Sequence, residues 1–179
     1  MEKEFITGNF KETQKLGKSL ALEIGNELQG PALSSIARSQ SPILEGAFVF
    51  CLEGDLGAGK TTFTQGVLKG LGAEGPYTSP TFLIMKEYNL QDTKYKKQET
   101  KKFKIQNSKF KIRNIYHIDA YRVGAEDVLS LGWEEMIADP KNVVIVEWPE
   151  KIARILPENS IRIKFEWLDE NQRKITFGK

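Results

Sequence analysis

The octapeptide Gly54-Asp55-Leu56-Gly57-Ala58-Gly59-Lys60-Thr61 satisfies G-x-x-x-x-G-K-[ST] and lies between two apolar runs. Ala47 to Glu53, before it, is strand-length and apolar throughout, which suits a strand buried on both faces. Thr61 to Leu71, after it, has helical spacing and is closed by Gly70 and Gly72. Strand, glycine-rich loop and helix in that order make a phosphate-binding loop. Glycines let successive N–H groups turn inward, and the helix start adds its positive dipole end. Lys60 is then placed for the β- and γ-phosphates of a nucleotide, and Thr61 for Mg²⁺.

The rest of the chain alternates strands with helices and ends rich in strand. Glu4 to Thr7 reads as a short strand. Asn9 is an N-cap with Glu12 as its capping-box partner, and Leu16, Leu20, Ile24 and Leu28 give a helix over 10–28. Residues 30–46 read as a loop after Gly30-Pro31. Leu83 to Tyr88, Ile115 to Asp119 and Val143 to Glu147 read as strands. Glu126 to Ile137 reads as a helix interrupted near Gly132, and Pro149 to Leu156 as a short helix. Ser160 to Trp167 and Arg173 to Phe177 alternate and pair across DENQ. The expectation is one domain over 1–179, α/β, with a mixed, mostly parallel sheet and an antiparallel C-terminal strand pair.

No apolar run reaches the roughly 20 residues of a membrane span. The start, MEKEFITGNF, lacks the apolar region of a signal peptide, and the lone Cys51 suits a reducing compartment and a core position. These features predict a cytoplasmic protein. The net charge of +2 is unevenly spread: residues 89–113 hold nine Lys/Arg and two Asp/Glu, leaving 17 against 22 elsewhere, a net of −5. That body is no general nucleic-acid binder. The basic segment contains KFKIQN at 102–107 and KFKIRN at 109–114, and reads as a protruding hairpin or a flexible arm.

A phosphate loop needs a carboxylate near its metal. Glu147 follows VVIV and Asp119 follows IYHI, and either is a candidate, directly or through water. His117 shares a face with Asp119 and reads as a hydrogen-bonded structural histidine. Thr78-Ser79-Pro80-Thr81-Phe82 is either a polar connection or a sensor whose hydroxyls hold phosphate or Mg²⁺ and later release it.

GDLGAGKTT, TSPTF, YHIDAYR at 116–122, GWEEMI at 132–137 and VEWPEKI at 146–152, in this order, resemble the TsaE (YjeE) family of bacterial P-loop ATPases. The likeness runs from Glu4 to the end, excluding 30–45 and 90–113. It implies a three-layer P-loop NTPase-like fold and a weak ATPase using ATP and Mg²⁺. That ATPase would serve tRNA threonylcarbamoyladenosine formation by acting with, and resetting, a TsaB–TsaD complex. Carried over by position, Leu56, Gly57, Ala58, Gly59, Lys60, Thr61 and Thr62 cradle the nucleotide, Thr61 and Glu147 hold Mg²⁺, and Asp119 supports the metal or the attacking water. Lys60, Asp119 and Glu147 are the catalytic set, Thr78 to Phe82 the switch, and Trp148 shapes the site. Phe10, Thr13 and Gln172 or Arg173 approach the base. Ala120 departs from the usual Leu of the YHIDAYR motif. The connection before YHIDAYR is usually only a few residues in the family; here it carries the insertion at 90–113, whose role the resemblance does not predict. It is either a duplicated surface segment or an arm that contacts tRNA held by the partners, with its base expected near the switch and Asp119.

Three rival readings remain. A small-molecule kinase would need an Arg-rich lid, and no Arg cluster appears outside the basic segment. A GTPase would need N-K-x-D and D-x-x-G, both missing. A non-catalytic, nucleotide-gated adaptor would differ only in turnover.

Overall fold

The structure is a computed structural model and describes residues 2–25, 46–90 and 112–178. Strand β1 (Lys3–Thr7) leads into helix α1 (Phe10–Gly25). The Glu12 amide donates to Asn9 Oδ1 at 3.0 Å, and the Glu12 carboxylate accepts from the Gly8 amide at 2.7 Å. This is a capping box whose return bond falls one residue early. Next come β2 (Phe48–Glu53), α2 (Lys60–Leu71), β3 (Met85–Asn89) and β4 (Asn114–Asp119). The chain continues with α3 (Ala125–Leu129), α4 (Trp133–Ala138), β5 (Asn142–Glu147), a 3₁₀ segment (Pro149–Ile155), β6 (Ile161–Trp167) and β7 (Arg173–Gly178).

The seven strands form one sheet, ordered β1-β7-β6-β2-β5-β4-β3. The central run β6-β2-β5-β4 is parallel, and the β1–β7, β6–β7 and β3–β4 pairs are antiparallel. A parallel core demands cover on both faces. Helices α1 and α2 bury one face with Phe50, Leu52, Ile145, Ile163 and Phe177. On the other face, Trp133, Met136, Val128 and Ile152 pack on Val49, Cys51, Val144 and Val146. Burial raises the Cys51 thiol to about 11, so it stays protonated as a core residue. On β6, β7 and β1 this second face instead carries ion pairs, with Arg162 2.6 Å from Glu53 and Lys174 2.9 Å from Glu4.

Helices α1 and α2 lie unusually close. A Cβ on Gly66 would stand 2.1 Å from the Gln14 carbonyl oxygen, so only glycine admits α1 at that distance. Phe63 of α2 then meets Phe165 and Phe177 edge-on, at ring separations of 5.4 and 6.1 Å, which fixes the helix on the sheet.

Two placements differ from expectation. The strand expected from Leu83 starts at Met85, because Ile84 has φ 64°. A β-branched residue in that left-handed region cannot continue a strand. The interruption expected near Gly132 is present: Gly132, at φ 84°, divides α3 from α4. The short helix expected after Pro149 is present as a 3₁₀ segment. The insertion's base is also not near the switch. The Leu90 amide donates to the Arg113 carbonyl at 2.8 Å, one step beyond the Asn89–Asn114 pair, whereas Asp119 ends the opposite side of the ladder, beside Met85–Ile118. Five residues of strand, about 17 Å, separate the two. The end of the helix expected to reach residue 28, the loop at 30–45 and the repeats at 102–111 lie outside the described residues. Among the described residues no helix is long and apolar enough to cross a membrane.

Candidate nucleotide site

The site forms at the C-terminal ends of the parallel strands, where α2 begins. Gly54 leaves β2 at φ 135°, and a Cβ there would sit 2.3 Å from the Phe165 carbonyl oxygen. The loop can therefore curl only as glycine allows. Gly59 caps α2 at φ 102°, with Thr13 and Arg173 on either side of it. Lys60 is only 4% exposed. Its ammonium donates to the Gly54 carbonyl at 2.5 Å and the Asp55 carbonyl at 2.8 Å, and stands 4.0 Å above the Trp148 ring. Desolvation lowers its pKa, with the charges of Glu147 and Glu150 working the other way. Lys60 was expected to face an open anion site; it lines the cavity but is folded back onto its own loop.

Asp119 and Glu147 end adjacent parallel strands in register, on the α2 face. Their partners differ. Thr61 Oγ1 donates to Glu147 Oε2 at 3.0 Å, and His117 Nε2 lies 2.8 Å from Glu147 Oε1. An ionised carboxylate only accepts, so this contact calls for a proton on His117 Nε2. Both side chains are buried, and His117 Nδ1 has no partner among the described residues. Asp119 Oδ2 accepts from Ser79 Oγ at 3.0 Å and Thr81 Oγ1 at 2.6 Å, and its Oδ1 from the Tyr121 amide at 3.1 Å. One acid thus holds the phosphate-loop threonine, and the other holds the TSPTF loop.

A cavity of about 460 Å³ is lined by Leu56, Gly57, Gly59, Lys60, Thr61 and Thr62, and by Ser79, Thr81, Asp119, Tyr121, Arg122, Glu147 and Trp148. A second, of about 210 Å³, is lined by Asn9, Phe10, Thr13, Glu170, Asn171 and Arg173. Gly57, Gly59 and Thr62 border both. The fold thus brings the residues expected at phosphates, metal and base into one continuous surface. Ala58 is outside it: its side chain is buried in the core and its amide donates to Asp55. Thr78, Pro80 and Phe82 line neither cavity; Lys86 bonds to Thr78, and Phe82 is 86% exposed. Gln172 lies in the turn before Arg173 and also lines neither.

Tyr121 and Arg122, Asn9, Glu170 and Asn171 line the cavities without having been singled out. The first two follow Asp119 in YHIDAYR with only Ala120 between, and that closeness was the available signal. Tyr121 packs on Trp148, ring centroids 4.9 Å apart, forming one wall. Glu147 and Thr61 bring two hard oxygen donors together, which fits Mg²⁺, an ion held by one or two protein oxygens plus substrate phosphates. Among the described residues no group of three His, Cys, Asp or Glu side chains forms a protein-only metal cage.

The family model described as "Threonylcarbamoyl adenosine biosynthesis protein TsaE" matches residues 7–175. The chain belongs to the TsaE family. The tRNA threonylcarbamoyladenosine biosynthesis protein TsaE of Bacillus subtilis is 35% identical over 143 residues, 80% of this chain and 77% of that one. The TsaE of Aquifex aeolicus is 34% identical over 142 residues, 78% and 84% of the two chains. The crystal structure of Bacillus subtilis YdiB superposes with a TM-score of 0.59 at 26% identity, covering 99% of this chain and 84% of that one. In this TsaE-family chain the glycine loop, TSPTF, YHIDAYR and VEWPEKI, separate in sequence, converge on one cavity.

Proposed function

We propose that this chain is the ATP-binding and slowly ATP-hydrolysing component of tRNA threonylcarbamoyladenosine biosynthesis. In this reading it works with a TsaB–TsaD complex, resets it between turnovers, and does not itself transfer the threonylcarbamoyl group. The observation that carries the reading is the pair of adjoining cavities. One is lined by the phosphate loop and two carboxylates and the other by α1 and the β6–β7 turn, as a base and a triphosphate on one nucleotide require.

Loop amides and Lys60 bind phosphate oxygens, with Lys60 leaving the Gly54 and Asp55 carbonyls to do so. Thr61 and Glu147 would hold Mg²⁺, whose charge would offset that of the bound phosphates. His117 fixes the Glu147 carboxylate in rotation, as an outer partner of a metal ligand does. Ser79 and Thr81 hang on Asp119, so the TSPTF loop reports whether Asp119 is engaged by them or by water and substrate. Trp148 and Tyr121, packed on each other, wall one side of the cavity.

The test is capture of TsaB and TsaD on this chain with and without ATP–Mg²⁺, together with hydrolysis measured alone and with the partners. Nucleotide-dependent capture and faster hydrolysis are expected. Capture without hydrolysis in any mixture would mean a nucleotide-gated adaptor, and phosphorylation of a small molecule would mean a kinase.

The basic insertion is proposed to contact tRNA held by the partners, since its Lys and Arg suit phosphates and Phe103 and Phe110 suit unpaired bases. Its ends, Leu90 and Arg113, are hydrogen-bonded neighbours, so deleting 91–111 with a short Gly-containing turn preserves the β3–β4 ladder. The deletion is expected to weaken tRNA binding in the assembled complex and flatten its salt dependence. Unchanged affinity and slope would make the insertion a passive surface segment.

A further inference from the structure

Arg122 lines the phosphate cavity, yet no hydrogen bond or ion pair engages it among the described residues. Its contact is with Phe82 of the TSPTF loop, the guanidinium carbon 5.4 Å from the ring centroid. Both side chains are exposed. Every other charged group at this cavity is committed: Lys60 to loop carbonyls, Glu147 to Thr61 and His117, and Asp119 to Ser79 and Thr81. Arg122 is the one cation lining the cavity with its donors unspent.

The electrostatics of the cavity call for such a group. A triphosphate brings more negative charge than one Mg²⁺ and one lysine offset, and Asp119 and Glu147 add two carboxylates. During hydrolysis a water oxygen bonds to the γ-phosphorus as the bond to the β–γ bridging oxygen breaks. The electron pair stays on ADP, and the water proton leaves with the released phosphate. Charge shifts towards that bridging oxygen, where a planar guanidinium with a fork of N–H donors is most effective.

We propose that Arg122 is this chain's own arginine for the transferring phosphoryl group, resting on Phe82 and drawn into the cavity by the charge of the reacting phosphates. The inference rests on the nucleotide reading given above. It makes the TSPTF loop a shelf as well as a sensor. Ser79 and Thr81 hold Asp119 while Phe82, in the same loop, holds Arg122, so one loop movement releases an acid and a cation together.

The test compares binding of ADP–Mg²⁺ with binding of ADP–Mg²⁺–aluminium fluoride, a mimic of the phosphoryl group in transfer, using the full chain alone. The wild type is expected to bind the fluoride complex at least about tenfold more tightly than ADP. Arg122→Ala should keep ADP affinity within about twofold and lose that gain, and its single-turnover hydrolysis should fall by about 10²-fold or more. Arg122→Lys should recover only part, since it restores the charge without the fork. A full gain retained in Arg122→Ala overturns the proposal, as does an equal loss for both ligands or no gain in the wild type. Failure of the wild type to bind ADP at all would instead sink the underlying nucleotide reading.

Discussion

Lys60→Met is expected to abolish nucleotide turnover, lowering the rate by about 10³-fold or more, while the chain stays folded. The ammonium is the buried cation of the phosphate cavity, and nothing else in α2 reaches the same place. Removing a buried charge usually threatens a fold, because its partner is left stranded. Here the partners are two backbone carbonyls, of half-exposed Gly54 and exposed Asp55, and water replaces the lost donor at both. The lysine is also held at a cost, since desolvation lowers its pKa. Met preserves the apolar stem over Trp148 without that penalty. Thermal unfolding within a few degrees of wild type, with hydrolysis lost, is the predicted pair of results. Hydrolysis at the wild-type rate, alone or with partners, would show that the cavity does not act on phosphate.

Glu147→Ala is expected to raise the Mg²⁺ concentration needed for nucleotide binding by about 10-fold or more, well beyond the effect of Asp119→Ala. Glu147 touches Thr61, the hydroxyl in the phosphate motif; Asp119 touches Ser79, Thr81 and the Tyr121 amide. The substitution has a second effect. His117 is 1% exposed and already lacks a partner at Nδ1 among the described residues, so losing Glu147 leaves both ring nitrogens unsatisfied. A loss of about 1–3 kcal/mol in stability follows. Glu147→Gln, whose side-chain oxygen still accepts from Nε2, should recover most of the stability and little of the Mg²⁺ affinity. Equal Mg²⁺ titrations for wild type and Glu147→Ala, with nucleotide present, would remove Glu147 from the metal.

The loop from Gly54 to Thr61 was readable because its conformation is written in backbone requirements, and glycine at 54 and 59 states them in the sequence. Strand β5 was equally plain, since burial on both faces leaves an uninterrupted apolar run. Less local facts were hidden. The run from Leu83 gives no hint that Ile84 adopts φ 64°, a conformation set by its carbonyl bonding the Asp119 amide on another strand. That His117 faces Asp119's side was legible from period two; that its partner is Glu147 depends on β4 and β5 being parallel and in register. The site of the insertion was misjudged for the same reason. TSPTF precedes β3 and Asp119 ends β4, so once the pair is antiparallel its connection lies at the far end of the ladder; the direction of pairing is what the sequence does not state. Arg122 sat in a motif already quoted, but only the folded cavity distinguishes it from any surface arginine.

The close approach of α1 to α2 has one more consequence. The first turn of α1 carries Phe10 and Thr13 at one cavity, and the first turn of α2 carries the lysine and threonine at the other. With Gly66 against Gln14 and Gly17 against Phe63, no flexible side chain separates the two backbones at these crossings. The helices therefore act as a gauge of fixed span. In the proposed reading, a nucleotide has to match that span to occupy both cavities at once. On that reading, a bare polyphosphate or a lone nucleoside would be expected to bind more weakly than the whole nucleotide.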